Sequence, residues 1–250
     1  MLTEERQSKI LDELKAKKVI KVRELIEELN VSESTIRRDL QELEAEGWLV
    51  RVHGGAKQVF KLEPELTMKE KSSKNVHKKQ EIVHLAASLV KEGDMIYIDA
   101  GTTTLELLPL IKDKAVTIVT NSVHHAFVAT DLGIDTIMIG GKVRKNTKAS
   151  VSQLGGEQLT RYFFDKAFMG ANGVHPIYGL TTADPEEAMM KRTAIHQAQQ
   201  VYFLVDDTKF DKLNFSQIES IDTGVILTNQ LTDKQRSQYQ GVATIKEVEK

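Results

Sequence analysis

The sequence contains no cysteine and no apolar run that approaches a membrane span. Without cysteine there are no disulfides, no thiolate metal sites and no thiol nucleophile, which suits a reducing, cytoplasmic compartment. A bilayer crossing takes roughly 20 consecutive apolar residues, so no membrane partner is expected. The polar opening Met1-Leu2-Thr3-Glu4-Glu5-Arg6 is not a secretory leader, and Asn214-Phe215-Ser216 therefore reads as a chance glycosylation sequon. Positive charge is also short. Lys plus Arg number 34 against 36 Asp plus Glu, a formal net charge of −2, whereas a non-specific nucleic-acid coat shows a basic excess. Nucleotide fingerprints are missing too. Gly140-Gly141-Lys142 is followed by Val143, and no upstream glycine has the phosphate-loop spacing, which sets ATP and NAD aside. No residue at ligand spacing accompanies His53, and the adjacent His124-His125 point apart on a helix, so neither metal nor any other cofactor is expected.

What is present begins with Ser32-Glu33-Ser34-Thr35-Ile36-Arg37-Arg38-Asp39-Leu40. Ser32 is a favoured N-cap. Ile36, Leu40 and Leu43 then fall at i, i+4 and i+7 on one apolar face. Ser34, Arg38 and Gln41 lie opposite that stripe and are flanked by Thr35 and Arg37, a set of side chains suited to base edges and phosphates in a major groove. Taken alone, two arginines on a helix usually mean a solvated face; the surroundings decide otherwise. An amphipathic helix over 3–17, an extended piece at 19–22 and a short helix over 24–29 precede the turn Asn30-Val31. Gly47 ends the third helix, Trp48 to Val52 read as a strand, and Gly54-Gly55 as the turn of a hairpin that carries Arg51, His53 and Lys57. The order is that of a winged helix-turn-helix, assigned to 1–57. Trp48 reads as a core or hairpin anchor.

Residues 58–75, rich in Lys, Glu and Ser with Pro64 as a breaker, read as a polar linker. Residues 76–250 alternate apolar strands with helices: strands at 95–99, 116–120, 136–139, 166–169, 201–205 and 224–228, helices at 79–91 and 186–199 among them. That alternation predicts a mostly parallel sheet covered on both faces. Ligands of such sheets sit beyond the carboxyl ends of the strands. Those ends carry Asp99, Gly101, Thr102, Thr103 and Thr104, then Asn121-Ser122, Gly140-Gly141, Gly170 with Asn172, and Asp206 with Lys209. Small and hydroxyl residues at strand-to-helix turns offer N–H groups and hydroxyls to an anion, although a lone Gly-Thr-Thr-Thr serves equally as a plain helix cap. Glu187 and Lys191, at i and i+4, are either a surface ion pair or groups over the pocket, the lysine for a phosphate and the glutamate for sugar hydroxyls.

The chain resembles the DeoR family of bacterial transcription repressors along nearly its whole length, and within it the fructose-operon repressors of Gram-positive bacteria. The resemblance is carried by Thr3-Glu4-Glu5-Arg6, the helix from Ser34 to Leu40, His53-Gly54-Gly55-Ala56, Asn75 with Lys79, Asp99 to Thr104, and the strand ends, Glu187–Lys191 and Asp206 with Lys209-Phe210. It implies an α/β sensor domain similar to ribose-5-phosphate isomerase and CoA-transferase folds, phosphorylated sugars as effectors (fructose 1-phosphate by overall likeness), double-stranded operator DNA as partner, and a homodimer or homotetramer. Two departures from the family pattern are visible: Asp207-Thr208 stand where a small pair is usual, and Asn229 where Asp is usual. The competing reading is a sugar-phosphate isomerase with Asp99, Glu187 or Lys191 as acid–base groups; a winged helix has no place in such an enzyme. A DNA-architectural protein is disfavoured by the charge balance and the large second domain.

Overall fold

The computed structural model of the chain describes residues 2–59 and 62–249, arranged in two compact units, Met1–Leu62 and Glu63–Lys250. Met1, Phe60, Lys61 and Lys250, which fall in the segments assigned above as 1–57, 58–75 and 76–250, lie outside the described residues.

The first unit runs helix Thr3–Lys17, strand Val19–Lys21, helix Val22–Leu29, helix Glu33–Ala45, and strands Leu49–Val52 and Gly55–Gln58. Ser32 caps the third helix, its hydroxyl accepting the Thr35 N–H at 3.2 Å. The predicted stripe Ile36, Leu40 and Leu43 packs on Ile10, Leu14, Leu25 and Leu29; each such burial contributes about 1.5–3 kcal/mol. The hairpin Leu49–Val52/Gly55–Gln58 pairs antiparallel with Val19–Lys21, so the sheet order places Gly55–Gln58 in the middle. Gly55 is required there, because a Cβ would stand 2.0 Å from the Ile20 carbonyl oxygen. Trp48 packs against this core with its indole N–H on Glu46, an anchor as expected. The first and third helices are also tied by an ion pair between Arg6 and Asp39. Nη2 donates to Oδ1 at 2.8 Å, and Asp39 is only 1 % exposed.

The second unit holds a seven-stranded sheet in the order Thr244–Glu247, Val225–Thr228, Ala198–Leu204, Phe164–Met169, Met95–Ile98, Thr117–Thr120, Asp135–Met138. Every pairing in it is parallel. Strand alternation builds two cores. Ile96, Ile98 and Ile118 pack on one face with Ile82 and Leu108, while Tyr97, Val119, Phe164 and Phe203 pack on the other. From Met95–Ile98 the chain winds outward through Thr117–Thr120 to Asp135–Met138. It then returns to lay Phe164–Met169 on the opposite side of Met95–Ile98 and winds the other way. The reversal makes the gap between Met95–Ile98 and Phe164–Met169 the switch point of the sheet, where a crevice opens at the strand ends.

Some elements differ from the expectations. Helix Val76–Leu89 starts before residue 79, and helix Pro185–His196 stops before 199 because Ala198 already belongs to the next strand. A seventh parallel strand, Thr244–Glu247, an antiparallel sheet of Gly173–His175, Gly179–Thr182 and Ser216–Glu219, and the pair Lys142–Val143/Ser150–Val151 were not anticipated. They are two to four residues long, too short for periodicity to register. The segment read as linker contains helix Met68–Ser73, opened by a capping box: Thr67 Oγ1 accepts the Glu70 N–H, and Glu70 accepts the Thr67 N–H. The spacing Thr67-x-x-Glu70 is the sequence signature of that box.

Candidate nucleic-acid interface and effector pocket

On the third helix of the first unit, Ser34, Arg37, Arg38 and Gln41 are exposed and Thr35 is half-buried. The hydroxyls of Ser34 and Thr35 each lie 2.8 Å from that of Ser32 and are part of the cap. Arg37 pairs with Glu33 at 2.6 Å and Arg38 with Glu42 at 3.1 Å. Exposed i,i+4 pairs are worth about 0.3–0.5 kcal/mol, so both guanidiniums are free to exchange a glutamate for a stronger acceptor. Arg51 is held differently. Its N–H and guanidinium both donate to Glu44, at 2.8 and 2.7 Å, which ties the wing to the end of the helix. These bonds hold the Glu44 carboxyl below its ordinary range. His53 and Lys57 are exposed on the hairpin. Together these side chains form a polar and cationic face on a helix and its wing.

In the second unit a pocket of about 230 Å³ opens at the switch point. Of the residues expected there, Asp99, Gly101, Thr102, Thr103, Asn121, Gly170, Asn172, Glu187, Lys191, Asp206 and Lys209 line it; Thr104, Ser122, Gly140 and Gly141 do not. Thr104 and Ser122 stand behind the wall. The Thr104 hydroxyl lies 2.9 Å from Asp99 Oδ1 and 3.2 Å from His125 Nε2, and His125 Nδ1 lies 2.8 Å from the Ser122 hydroxyl. His125 is fully buried, and that burial pulls its pKa down to about 4. Gly140 and Gly141 instead pack beside Gly155 and Ser152, at the start of helix Gln153–Leu159.

Asp99 organises the pocket floor. Oδ1 accepts the Gly101 N–H at 2.9 Å, Oδ2 accepts the Gly170 N–H at 2.8 Å, and Lys191 is ion-paired to Oδ2. Burial alone would raise the Asp99 carboxyl, but the Lys191 charge and these donors outweigh it and leave the pKa lowered. Both strand-end loops flanking the switch point therefore hang on one carboxylate. Asn121 is spent similarly, accepting from Tyr97 at 3.1 Å and donating to the Ser150 carbonyl at 3.1 Å. Above the floor, Glu187 accepts the Thr147 hydroxyl at 2.6 Å beside Arg144, which is also paired with Asp184.

Five lysines (Lys71, Lys74, Lys79, Lys191, Lys209) and three carboxylates (Asp99, Glu187, Asp206) line the pocket, a positive excess that suits an anion. Lys71 is half-buried among these charges. Burial lowers its pKa, and Lys209 and Lys191 push it the same way against Glu187 and Glu65. Its ammonium lies 3.4 Å from the neutral Asn172 side-chain oxygen. The segment that supplies Lys71, Leu66 and Met68 was read as linker, and its contribution was missed; only the Thr67–Glu70 spacing pointed to structure there. Among the described residues no group of His, Asp and Glu could hold a metal ion, and no helix is long and apolar enough to cross a membrane.

Residues 6–60 match the DeoR-like helix-turn-helix domain, and residues 74–230 match the DeoR C terminal sensor domain. The chain is 43% identical, over 99% of each chain, to "Uncharacterized HTH-type transcriptional regulator FruR" of Bacillus subtilis. It is 36% identical, over 96% of each chain, to "Lactose phosphotransferase system repressor" of Lactococcus lactis. Among solved structures, ribose 5-phosphate isomerase a from Methanocaldococcus jannaschii is similar over 55% of this chain and 56% of its own, at 22% identity and a TM-score of 0.42. An N-terminal helix-turn-helix joined to a C-terminal sensor domain makes the chain a regulator and not an enzyme, and it belongs to the DeoR family of transcriptional regulators.

Proposed function

We propose that the chain represses a sugar-utilisation operon in the cytoplasm and that a phosphorylated sugar, fructose 1-phosphate in the first instance, binds the pocket of the second unit and releases the operator. The half-buried Lys71 among the pocket lysines carries this reading, because an ammonium set beside the charges of Lys209 and Lys191 is stabilised by an incoming phosphate. Glu187, held by Thr147 and Arg144, supplies acceptor oxygens for sugar hydroxyls. Asp99 is fully engaged by Lys191 and two backbone donors, so it positions loops and leaves no free base for isomerase chemistry. Operator contacts come from Ser34, Thr35, Arg37, Arg38, Gln41, Arg51, His53 and Lys57, with two or more copies of the chain reading repeated half-sites. For release, the sugar phosphate must favour the DNA-incompetent arrangement, since equal affinity for both arrangements shifts nothing.

The name of the Lactococcus relative, a repressor of a sugar phosphotransferase system, supports a sugar-linked operon. A thermal-shift screen over a panel of sugar phosphates, followed by operator binding with each hit, tests the proposal. Fructose 1-phosphate is expected to raise the melting temperature and weaken operator binding. Stabilisation by a different sugar phosphate would replace the effector, and stabilisation by none would remove the sensor assignment of the pocket.

A further inference from the structure

The residues between the two family matches, 61–73, belong to neither domain by similarity, yet they supply Leu66, Met68 and Lys71 to the pocket wall. From residue 63 on they follow directly in sequence on the DNA-binding unit, which ends at Leu62. The attachment of this strap to the rest of the second unit is polar, and it includes the ion pairs Lys212–Glu63 at 2.8 Å and Arg144–Glu65 at 3.4 Å. The Glu63 N–H donates to the Leu213 carbonyl at 2.9 Å, Asn214 donates to the Glu63 carbonyl at 3.0 Å, and the Met68 N–H donates to the Asn146 carbonyl at 3.1 Å. Lys79 donates to the Lys71 carbonyl. Helix Met68–Ser73 buries no residue fully, so no apolar core fixes it. Few buried apolar contacts mark a segment of low local stability, and such a segment responds to a ligand that touches it.

We propose that Lys71 is a ligand-contacting residue that grips the phosphate of the effector, and that this grip orders the strap and thereby passes pocket occupancy to the DNA-binding unit. The inference rests on the sugar-phosphate reading of the pocket and adds the route by which that pocket is heard. Lys71 is suited to the task by position. Its ammonium lies 3.4 Å from Asn172 Oδ1, on the loop that follows Phe164–Met169, and it feels the charges of Lys191 and Lys209, which line the same cavity. A phosphate seated among these three cations bridges the strap to the strand-end loops. With the pocket empty, Lys71 meets the charges of Lys191 and Lys209, and the strap is held by its backbone bonds and by the ion pairs Lys212–Glu63 and Arg144–Glu65 near its start.

The test uses the full-length protein, fructose 1-phosphate as probe and inorganic phosphate as a second arm. Lys71→Met keeps the length of the side chain and removes its charge. It is expected to bind the probe roughly ten- to hundredfold more weakly, the loss of a charge-assisted hydrogen bond, and to stay on operator DNA at probe concentrations that release the parent protein. Hydrogen exchange in residues 64–75 of the parent is expected to slow on adding the probe. Inorganic phosphate is expected to slow it as well, at higher concentration. A variant Thr67→Ala/Glu70→Ala removes the capping box and leaves the pocket lysines in place. It is expected to bind the probe within about threefold of the parent but to release DNA less completely. If Lys71→Met binds and responds like the parent, or if exchange in 64–75 is unchanged at saturation, the strap is a passive wall and the inference is wrong, while the pocket assignment stands. If the parent itself binds no sugar phosphate, the pocket assignment falls and takes this inference with it.

Discussion

Asp207 and Asn229 hold each other by two hydrogen bonds: the Asp207 N–H donates to Asn229 Oδ1 at 2.9 Å, and Asn229 Nδ2 donates to Asp207 Oδ1 at 2.9 Å. Asp207, with its neighbour Thr208, and Asn229 are the departures noted in the resemblance, and the structure joins Asp207 and Asn229 in one feature. An aspartate at 229 would face the Asp207 carboxylate, so the acid at 207 and the amide at 229 fit as a pair. Lys78 also binds Asp207, at 2.7 Å, and Asp207 is absent from the pocket lining although Asp206, Thr208 and Lys209 are in it. The extra negative charge is therefore turned away from the pocket.

Asn229→Asp is expected to destabilise the protein by about 1–3 kcal/mol, because it removes the amide donor and sets like charges together. Asp207→Ser in the same chain should restore most of the loss. Thermal unfolding of the two variants checks this; equal melting temperatures for Asn229→Asp and the parent would show that the pair contributes nothing.

The buried pair Arg6–Asp39 predicts a localised effect. Asp39→Ala leaves a guanidinium buried without its partner, which costs about 3–5 kcal/mol, and it should unfold the first unit ahead of the second. The sole tryptophan, Trp48, lies in that unit and reports it alone. Its fluorescence transition should move to lower temperature in Asp39→Ala, and Arg6→Met/Asp39→Leu should recover much of the shift.

Arg37→Ala and Arg38→Ala should each weaken operator binding roughly tenfold or more, as base or phosphate contacts do, with fructose 1-phosphate binding unchanged. Titrations at several salt concentrations separate the two kinds of contact. Losing a phosphate contact lowers the salt slope by about one, whereas losing a base contact relaxes sequence preference. Unaltered operator affinity in both variants would remove this helix from the DNA interface.

His125 predicts a pH dependence of stability. Its burial depresses the pKa to about 4 from an ordinary 6.5; Asp99 opposes the shift, and His124 and Lys191 add to it. Above pH 6.5 the ring is neutral folded and unfolded, and it costs nothing. As pH falls from 6.5 towards 4, the unfolded chain takes up a proton that the folded chain refuses, and stability drops across that window by about 3 kcal/mol in total. His125→Gln should flatten this part of the profile in denaturant unfolding measured from pH 7 to 4; an unchanged slope would show that the ring titrates normally.

What the sequence made legible follows from local rules, and what it hid follows from distance. Ser32 and the stripe Ile36, Leu40, Leu43 declare the third helix because cap and period sit within a dozen residues. Asp99 and Gly170 were found because strand ends can be read from apolar runs, and strand ends are where α/β sheets bind. Arg6 and Asp39 stand 33 residues apart, and nothing local in either residue announces burial. Lys71 was overlooked because a polar, lysine-rich segment looks the same whether it is solvated or folded against a pocket. Thr104 and Ser122 look like pocket hydroxyls in the sequence, but their side chains turn inward to Asp99 and His125.

Lys191 and Lys209 both line the pocket, and the structure predicts different outcomes for removing them. The Lys191 ammonium is ion-paired to buried Asp99, whose oxygens also hold the Gly101 and Gly170 loops. Lys191→Ala therefore strands a buried carboxylate, and the expected loss is several kcal/mol of stability together with the shape of the pocket. Its failure to respond to effector would by itself say little about phosphate binding. Lys209, in the 3₁₀ turn Asp207–Lys209, has no salt bridge to an acidic side chain among the described residues. Lys209→Ala should keep stability within about 0.5 kcal/mol of the parent, as substitutions outside buried networks do, while weakening fructose 1-phosphate binding roughly tenfold and leaving operator affinity intact without effector. Calorimetric titration beside thermal unfolding separates the cases. A Lys209→Ala protein that binds the probe like the parent would confine the phosphate to the other pocket lysines, Lys71, Lys74, Lys79 and Lys191. A Lys191→Ala protein of normal stability would mean that Asp99 does not depend on its lysine.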